Sequence, residues 1–180
     1  MLINDAMDIV GNYIVDFDGY PVSTAAGNKP DIEAEYKDFH LIVEVTLSAG
    51  QKQYEMEGES ISRHLGMKQK RLVEEGNFKP VFGVFVAEKI NDNVVNYLLT
   101  QARFASKAYG GKVRIVPLKR SMFEKLMISS VTNTHFTSRV LFDFFTAVFS
   151  DEILRNFEFT DEDWLGHISE CLDEFGAVIA

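Results

Sequence analysis

With 180 residues, the chain is long enough for one domain with a real core, and a single domain over residues 1–180 is expected. Its 46% apolar and 25% charged residues are ordinary for a soluble globular protein, and no apolar run is long enough for a membrane span. A net charge of -9 argues against strong non-specific DNA binding by this chain alone. Cys171 is the only cysteine, so no internal disulfide can form; with no signal peptide at the start, a cytoplasmic location is expected. Cys171 lies at helical spacing from Ile168 and Leu172, which marks it as a core filler rather than a nucleophile.

In chain order, Asp18-Gly19 signals a turn between two short strands. From Asp31 to Tyr36, Ile32, Ala34 and Tyr36 alternate with acids, as in a half-buried strand. Lys37 and Asp38 turn the chain into an antiparallel partner, LIVEVTL over 41–47, which Gly50 ends. In that strand Leu41, Val43, Val45 and Leu47 share one face, expected to be core, while Ile42, Glu44 and Thr46 share the other. A helix is expected from about Lys52 to Glu75, with Gln53, Glu57, Ile61, His64 and Lys68 on one stripe. VFGVFVA is a continuous apolar strand of the buried kind. A helix from Asn91 to about Ala108, the strand KVRIVPL and short helical material after Ser121 follow. Phe136, Val140, Leu141, Phe144, Phe145 and Val148 mark a further helix whose aromatic residues are core. Thr160 with Asp163 forms a capping box that opens a last helix, with Trp164, Leu165, Ile168, Leu172 and Phe175 inward. This order predicts an α/β sandwich whose mixed sheet starts antiparallel and continues parallel.

The charge is unevenly placed. From Gln101 to Lys125 seven basic residues stand against Glu124, while from Leu141 onward ten acids stand against Arg155. No zinc-finger spacing occurs, nor a helix with clustered Arg and Asn suited to a DNA groove.

The residue that asks for an explanation is Glu44. A carboxylate inside an apolar strand costs several kcal/mol unless it meets water, a partner or a metal. Asp31 begins the adjacent strand, so the hairpin can bring two carboxylates to one edge of the sheet. Two acids held together need a cation to stay ionised, and Mg²⁺ typically takes one or two carboxylates and keeps several waters. A main-chain carbonyl from Val45 could add a third protein oxygen. Glu57 lies on the helix that follows, in a polar stripe that can face back over the sheet edge.

The segment PDIEAEYKDFHLIVEVT resembles the Pro-Asp … Glu-x-Lys motif of the PD-(D/E)xK nuclease superfamily, with Thr46 where that motif has lysine. Over Asp16 to Leu65, and most specifically in EVTLSAGQKQYEMEGESISRHL, the chain resembles the cleavage domains and small cleavage subunits of AlwI-type type IIS restriction and nicking endonucleases. The resemblance implies a restriction-endonuclease-like three-layer α/β sandwich and Mg²⁺-dependent hydrolysis of double-stranded DNA. It implies Asp31 and Glu44 as metal-binding catalytic acids, Val45 as the carbonyl donor, and Glu57 as a further acid. His64 and Arg63 match its RHL signature, and Gln53, His64 or a lysine is needed where Thr46 supplies no cation. It also implies an acid on a helix ahead of Asp16, for which the chain begins too late to hold the whole helix. The expected partners are double-stranded DNA, a recognition domain or large recognition subunit, and a second cleavage domain for a double-strand break. Two other readings stay open: a catalytically weak or inactive partner module, which the missing lysine favours, and a DNA-repair nuclease.

Overall fold

A computed structural model describes residues 5–18, 20–23, 29–132 and 136–177. The main sheet has five strands in the order β1-β4-β5-β6-β7, and β2 (Ile14–Val15) pairs with β3 (Pro21–Ser23) separately. Strands β1 (Asp8–Gly11), β4 (Ile32–Glu35) and β5 (His40–Thr46) are antiparallel neighbours. Strands β6 (Val81–Ala87) and β7 (Arg114–Lys119) continue from β5 in parallel. The sheet is therefore mixed as expected, antiparallel first and parallel after. Pro117 is tolerated in β7 because that strand is an edge.

Helices cover both faces. Between β5 and β6 the chain runs through α1 (Gly50–Gln53), a π-helical segment (Tyr54–Gly58) and α2 (Glu59–Glu74). Between β6 and β7 it runs through α3 (Asp92–Arg103), opened by the Asn91 side chain accepting from the N–H of Asn93. Side chains alternate along β6, and its two faces meet different helices. Phe82 stacks on Phe145 at 4.7 Å between ring centroids, which places α5 (Ser138–Val148) on that side. Gly83 faces the other way, where an added Cβ would lie 3.0 Å from Leu65 of α2. The C-terminal part comprises α4 (Arg120–Thr132), α5, α6 (Asp151–Arg155) and α7 (Asp161–Ala177). The capping box is present: the Thr160 N–H donates to Asp163 at 2.9 Å, and the Asp163 N–H donates to the Thr160 hydroxyl at 3.2 Å. Trp164 and Ile168 are fully buried, and Leu165 and Leu172 pack against the core; the Phe175 side chain lies outside the described residues.

Several expectations need correction. The helix begun at Asn91 ends at Arg103 rather than near Ala108, because Phe104 is extended and Ser106 bridges to Gly111 instead. The face Leu41, Val43, Val45, Leu47 is core only in its first half: Leu41 and Val43 are buried, whereas Val45 is 51% and Leu47 99% exposed. Alternation persists along the strand, but the cover on that face stops before the strand does. Conversely Ile42 is buried on the opposite face, since β5 lies inside a sheet covered on both sides. The stripe running from Gln53 to Lys68 is interrupted by the π segment. An extra residue in one turn shifts the phase by about 100°, so Gln53 does not share the face of His64.

Candidate active site

The site forms where β4 starts and β5 nears its end. Ile32 is opposite Val43, so the next pair along the ladder is Asp31 and Glu44. Residues opposite one another in an antiparallel pair project to the same face. The Asp31 carboxylate also accepts the N–H of Val45 at 2.8 Å through Oδ2, which ties the strand ends together and fixes the carboxylate's position. That bond does not engage the other Asp31 oxygen.

Glu44 points to the α2 side, as its partner His64 shows. His64 Nδ1 lies 2.6 Å from Glu44 Oε1, with the imidazole 6% and the carboxylate 17% exposed. The contact to a carboxylate assigns the proton to Nδ1, so the imidazole donates. Burial pushes the Glu44 carboxyl above its ordinary range, and the negative charge of Asp31 pushes it the same way. The His64 hydrogen bond and its charge, together with the Asp31 main-chain N–H, pull in the opposite direction but do not cancel the rise. Two acids that repel across a hairpin are the donor set a hard divalent cation would relieve. Among the described residues no three His, Cys, Asp or Glu side chains converge as a ready-made metal site. The pair Asp31 and Glu44 still matches what Mg²⁺ asks of a protein, because that ion completes its shell with water.

Thr46 occupies the motif-lysine position on the same strand face as Glu44, but it is buried and its hydroxyl accepts the N–H of Ser48 at 3.0 Å. Gln53 is fully buried and spent on the main chain. Its amide nitrogen donates to the carbonyls of Ser48 and Lys89, each at 2.9 Å, and its oxygen accepts the N–H of Asn91 at 2.8 Å. It pins the loop after β5 to the loop before α3 and does not reach the carboxylates. The Glu57 backbone lies in the π segment, and its side chain lies outside the described residues. Arg63 pairs with Glu59 one helical turn back at 3.4 Å.

Next to His64, the partner of Glu44, a cleft of about 480 Å³ opens between strands β1 and β4 and helix α2. Lys29, Lys68 and Arg71 line it with His64, against one acid, Glu33. These three cations come from neither of the charge-biased segments. Two of them, Lys68 and Arg71, share one helix face with His64 by spacing, but nothing in the sequence joins Lys29 to them.

Other candidates resolve simply. Cys171 is buried; burial raises its thiol to about 11, and Glu174 and Glu170 add to the rise, which suits a core filler. His167 donates to the Ala147 carbonyl at 3.1 Å, His40 is buried, and His135 lies outside the described residues.

A mixed sheet between two helical layers, with an acid pair at the end of its β4–β5 hairpin, is the architecture of a restriction-endonuclease-like α/β protein. The small subunit of the heterodimeric restriction endonuclease R.BspD6I has a similar structure, at a TM-score of 0.73 and 22% identity over 93% of this chain and 81% of that one. The AlwI restriction endonuclease family model matches residues 1–126, and the chain belongs to that family. No curated protein sequence matches it.

Proposed function

We propose that the chain is the DNA-cleaving subunit or domain of a type IIS restriction or nicking endonuclease, a Mg²⁺-dependent deoxyribonuclease of the PD-(D/E)xK type. The observation that carries this reading is the pair Asp31 and Glu44, brought opposite each other on β4 and β5 beside a cation-lined cleft. Asp31, Glu44 and the Val45 carbonyl would hold the metal, and Glu57 would add a further acid. When bound, Mg²⁺ supplies an activated water and neutralises charge on the phosphodiester. The chain's own residues do the rest. The Val45 N–H fixes Asp31, and His64 fixes the rotamer of Glu44, so both carboxylates are preorganised. The imidazole's other nitrogen, Nε2, is buried without a partner, which leaves it for a proton or hydrogen bond at the reacting groups.

Among the described residues no element is suited to reading base edges, so a recognition domain or large subunit would supply the target sequence. Membership of the AlwI family supports such a partner, and the structurally similar small subunit is itself one half of a heterodimeric enzyme. A second cleavage domain would complete a double-strand break.

The second reading, a non-catalytic module of the same fold, draws on Thr46, whose hydroxyl is committed to the backbone where the motif has a lysine. Calorimetric titration with Mg²⁺ and Mn²⁺ separates the two. The nuclease reading predicts binding to the wild type and loss of binding in Glu44→Gln. Equal heats for both proteins would remove Glu44 from the site and favour the module.

A further inference from the structure

Along β4, Glu33 and Glu35 project to the same face, the one that α2 covers, and Asp31, one residue before the strand, continues the alternation with Ile32 and Ala34. Along α2, His64, Lys68 and Arg71 follow at spacings of four and three, which keeps them on one side of the helix. The two rows meet: His64 bonds Glu44, and Lys68 bonds Glu33 at 3.0 Å. A second recess of about 160 Å³ shares Val10, Glu33, Lys68 and Arg71 but adds the acids Asp8 and Glu35 beside His40, so the cationic stretch ends there. Lys29 completes the cationic lining at the end nearer Asp31.

One polar atom in the lining of the larger cleft lacks a partner: His64 Nε2 is buried and makes no hydrogen bond, whereas His40 Nε2, in the second recess, lies 4.0 Å from Glu35 Oε1. An orphaned polar atom of this kind in a native fold calls for a ligand or water. Around it in the larger cleft stand Lys29, Lys68 and Arg71 against Glu33, on a chain whose net charge is -9. A polyanion repelled by most of this surface is admitted here. From His64 to Arg71 the helix rises about 10 Å, roughly three nucleotide steps along one DNA strand.

We infer that this cleft is a backbone track: it holds the phosphates of the cut DNA strand on one side of the scissile bond, with Lys68 and Arg71 as the phosphate-binding residues and Glu33 as a competitor for Lys68. The inference rests on the nuclease reading for the location of the scissile bond. The track is self-screened in the free chain, because Lys68 is paired with Glu33 at 3.0 Å and the exposed Arg71 with Glu75 at 3.5 Å. A phosphate that takes Lys68 leaves Glu33 facing the helix, which weakens the net gain. Removing the Glu33 charge therefore strengthens DNA binding, an effect opposite to that of removing Lys68.

The test is equilibrium binding of the full chain to a short fluorescent duplex in metal-free buffer, over a series of salt concentrations. Each phosphate contact contributes about 0.9 to the slope of log K against log salt. Lys68→Ala with Arg71→Ala is expected to lower the slope by about 2, and Glu33→Gln to tighten binding. Arg71→Ala alone, at an exposed position, is expected to lower the slope by about 1 and guards against a fold defect in the double variant. Arg139→Ala, exposed on α5 and away from the cleft, is expected to keep the slope. An unchanged slope in the double variant, or weaker binding in Glu33→Gln, would overturn the track. Such a result leaves the nuclease reading standing as long as the wild type cuts in the assembled enzyme. Loss of the track's slope in a chain that never cuts would instead locate a DNA-binding module.

Discussion

Gly83 is a lever on the site although it touches neither carboxylate. It lies in the middle of β6, between Ile42 of β5 and Ile115 of β7, and faces α2. A Cβ there would stand 2.7 Å from Ile115 Cγ1 and 3.0 Å from Leu65 Cδ1. Both neighbours are fully buried and cannot swing into solvent, so the Ile115 clash has to be taken up within the sheet and the Leu65 clash by α2 moving off it. His64 is the residue before Leu65, and it holds Glu44 at 2.6 Å. Gly83→Ala is therefore expected to cost about 1–3 kcal/mol of overpacking. At roughly 2–4 °C per kcal/mol for a domain of this size, the melting midpoint should fall by about 2–12 °C. A shift of α2 by even a fraction of an ångström misaligns the imidazole, and a misplacement of about 1 Å can lower a rate by about 100-fold. Thermal melts and strand cleavage well below both midpoints measure the two effects. Leu65→Ala in the Gly83→Ala background opens the space again and should recover part of the rate, a coupling that a double-mutant cycle reads directly. A Gly83→Ala protein with wild-type midpoint and rate would refute the argument that helix–sheet contact at Gly83 sets the His64–Glu44 distance.

Three further outcomes follow from the same geometry. Because the folded state holds the Glu44 proton more tightly than the usual 4.5, wild-type stability falls as pH rises from there through the folded value; Glu44→Gln in metal-free buffer lacks this loss, so its midpoint should gain on the wild type across that window and stay level above it, and a variant that falls behind at neutral pH would contradict the assigned direction. Thr46→Val removes the acceptor for the Ser48 N–H and should cost about 1 kcal/mol in denaturant melts while leaving cleavage near wild type; a large loss of rate at unchanged stability would give Thr46 a chemical role. Cys171, with its thiol raised to about 11, should react with a thiol reagent at about pH 8 far more slowly in the native chain than in denaturant, and equal rates would place it at the surface.

Much of the site's placement was legible in the sequence because it depends on period-2 alternation and one short turn. Once Asp31 and Glu44 lie on consecutive strands joined at Lys37-Asp38, the hairpin register puts them opposite one another. The burial of VFGVFVA and the Thr160–Asp163 box were readable for similar local reasons. The π segment was not, because a single widened turn has no compositional signature; it is what separates Gln53 from the face of His64. The exposure of Val45 and Leu47 depends on where a distant helical layer ends, which no alternation within 41–47 can report. Strand β1, with all four residues exposed, lacks the apolar face that marks a strand in sequence. The cationic cleft is hidden in the sequence because Lys29, Lys68 and Arg71 meet only after α2 is laid over β1 and β4, while the basic run from Arg103 to Lys125 is the denser signal. Arg103 within that run is used for packing: it donates to the carbonyls of Asn156 and Phe159, each at 2.7 Å.

The most direct test of the central claim is strand cleavage of a duplex labelled on each strand, by the chain assembled with its recognition partner, in the presence of Mg²⁺. Asp31→Ala and Glu44→Ala are expected each to abolish cutting of the strand this chain addresses while keeping a cooperative thermal transition, because in the proposed nuclease both acids serve the chemistry rather than the packing. A correctly folded Asp31→Ala or Glu44→Ala protein that cuts that strand at near the wild-type rate would contradict the assignment of the β4–β5 carboxylates as the catalytic pair.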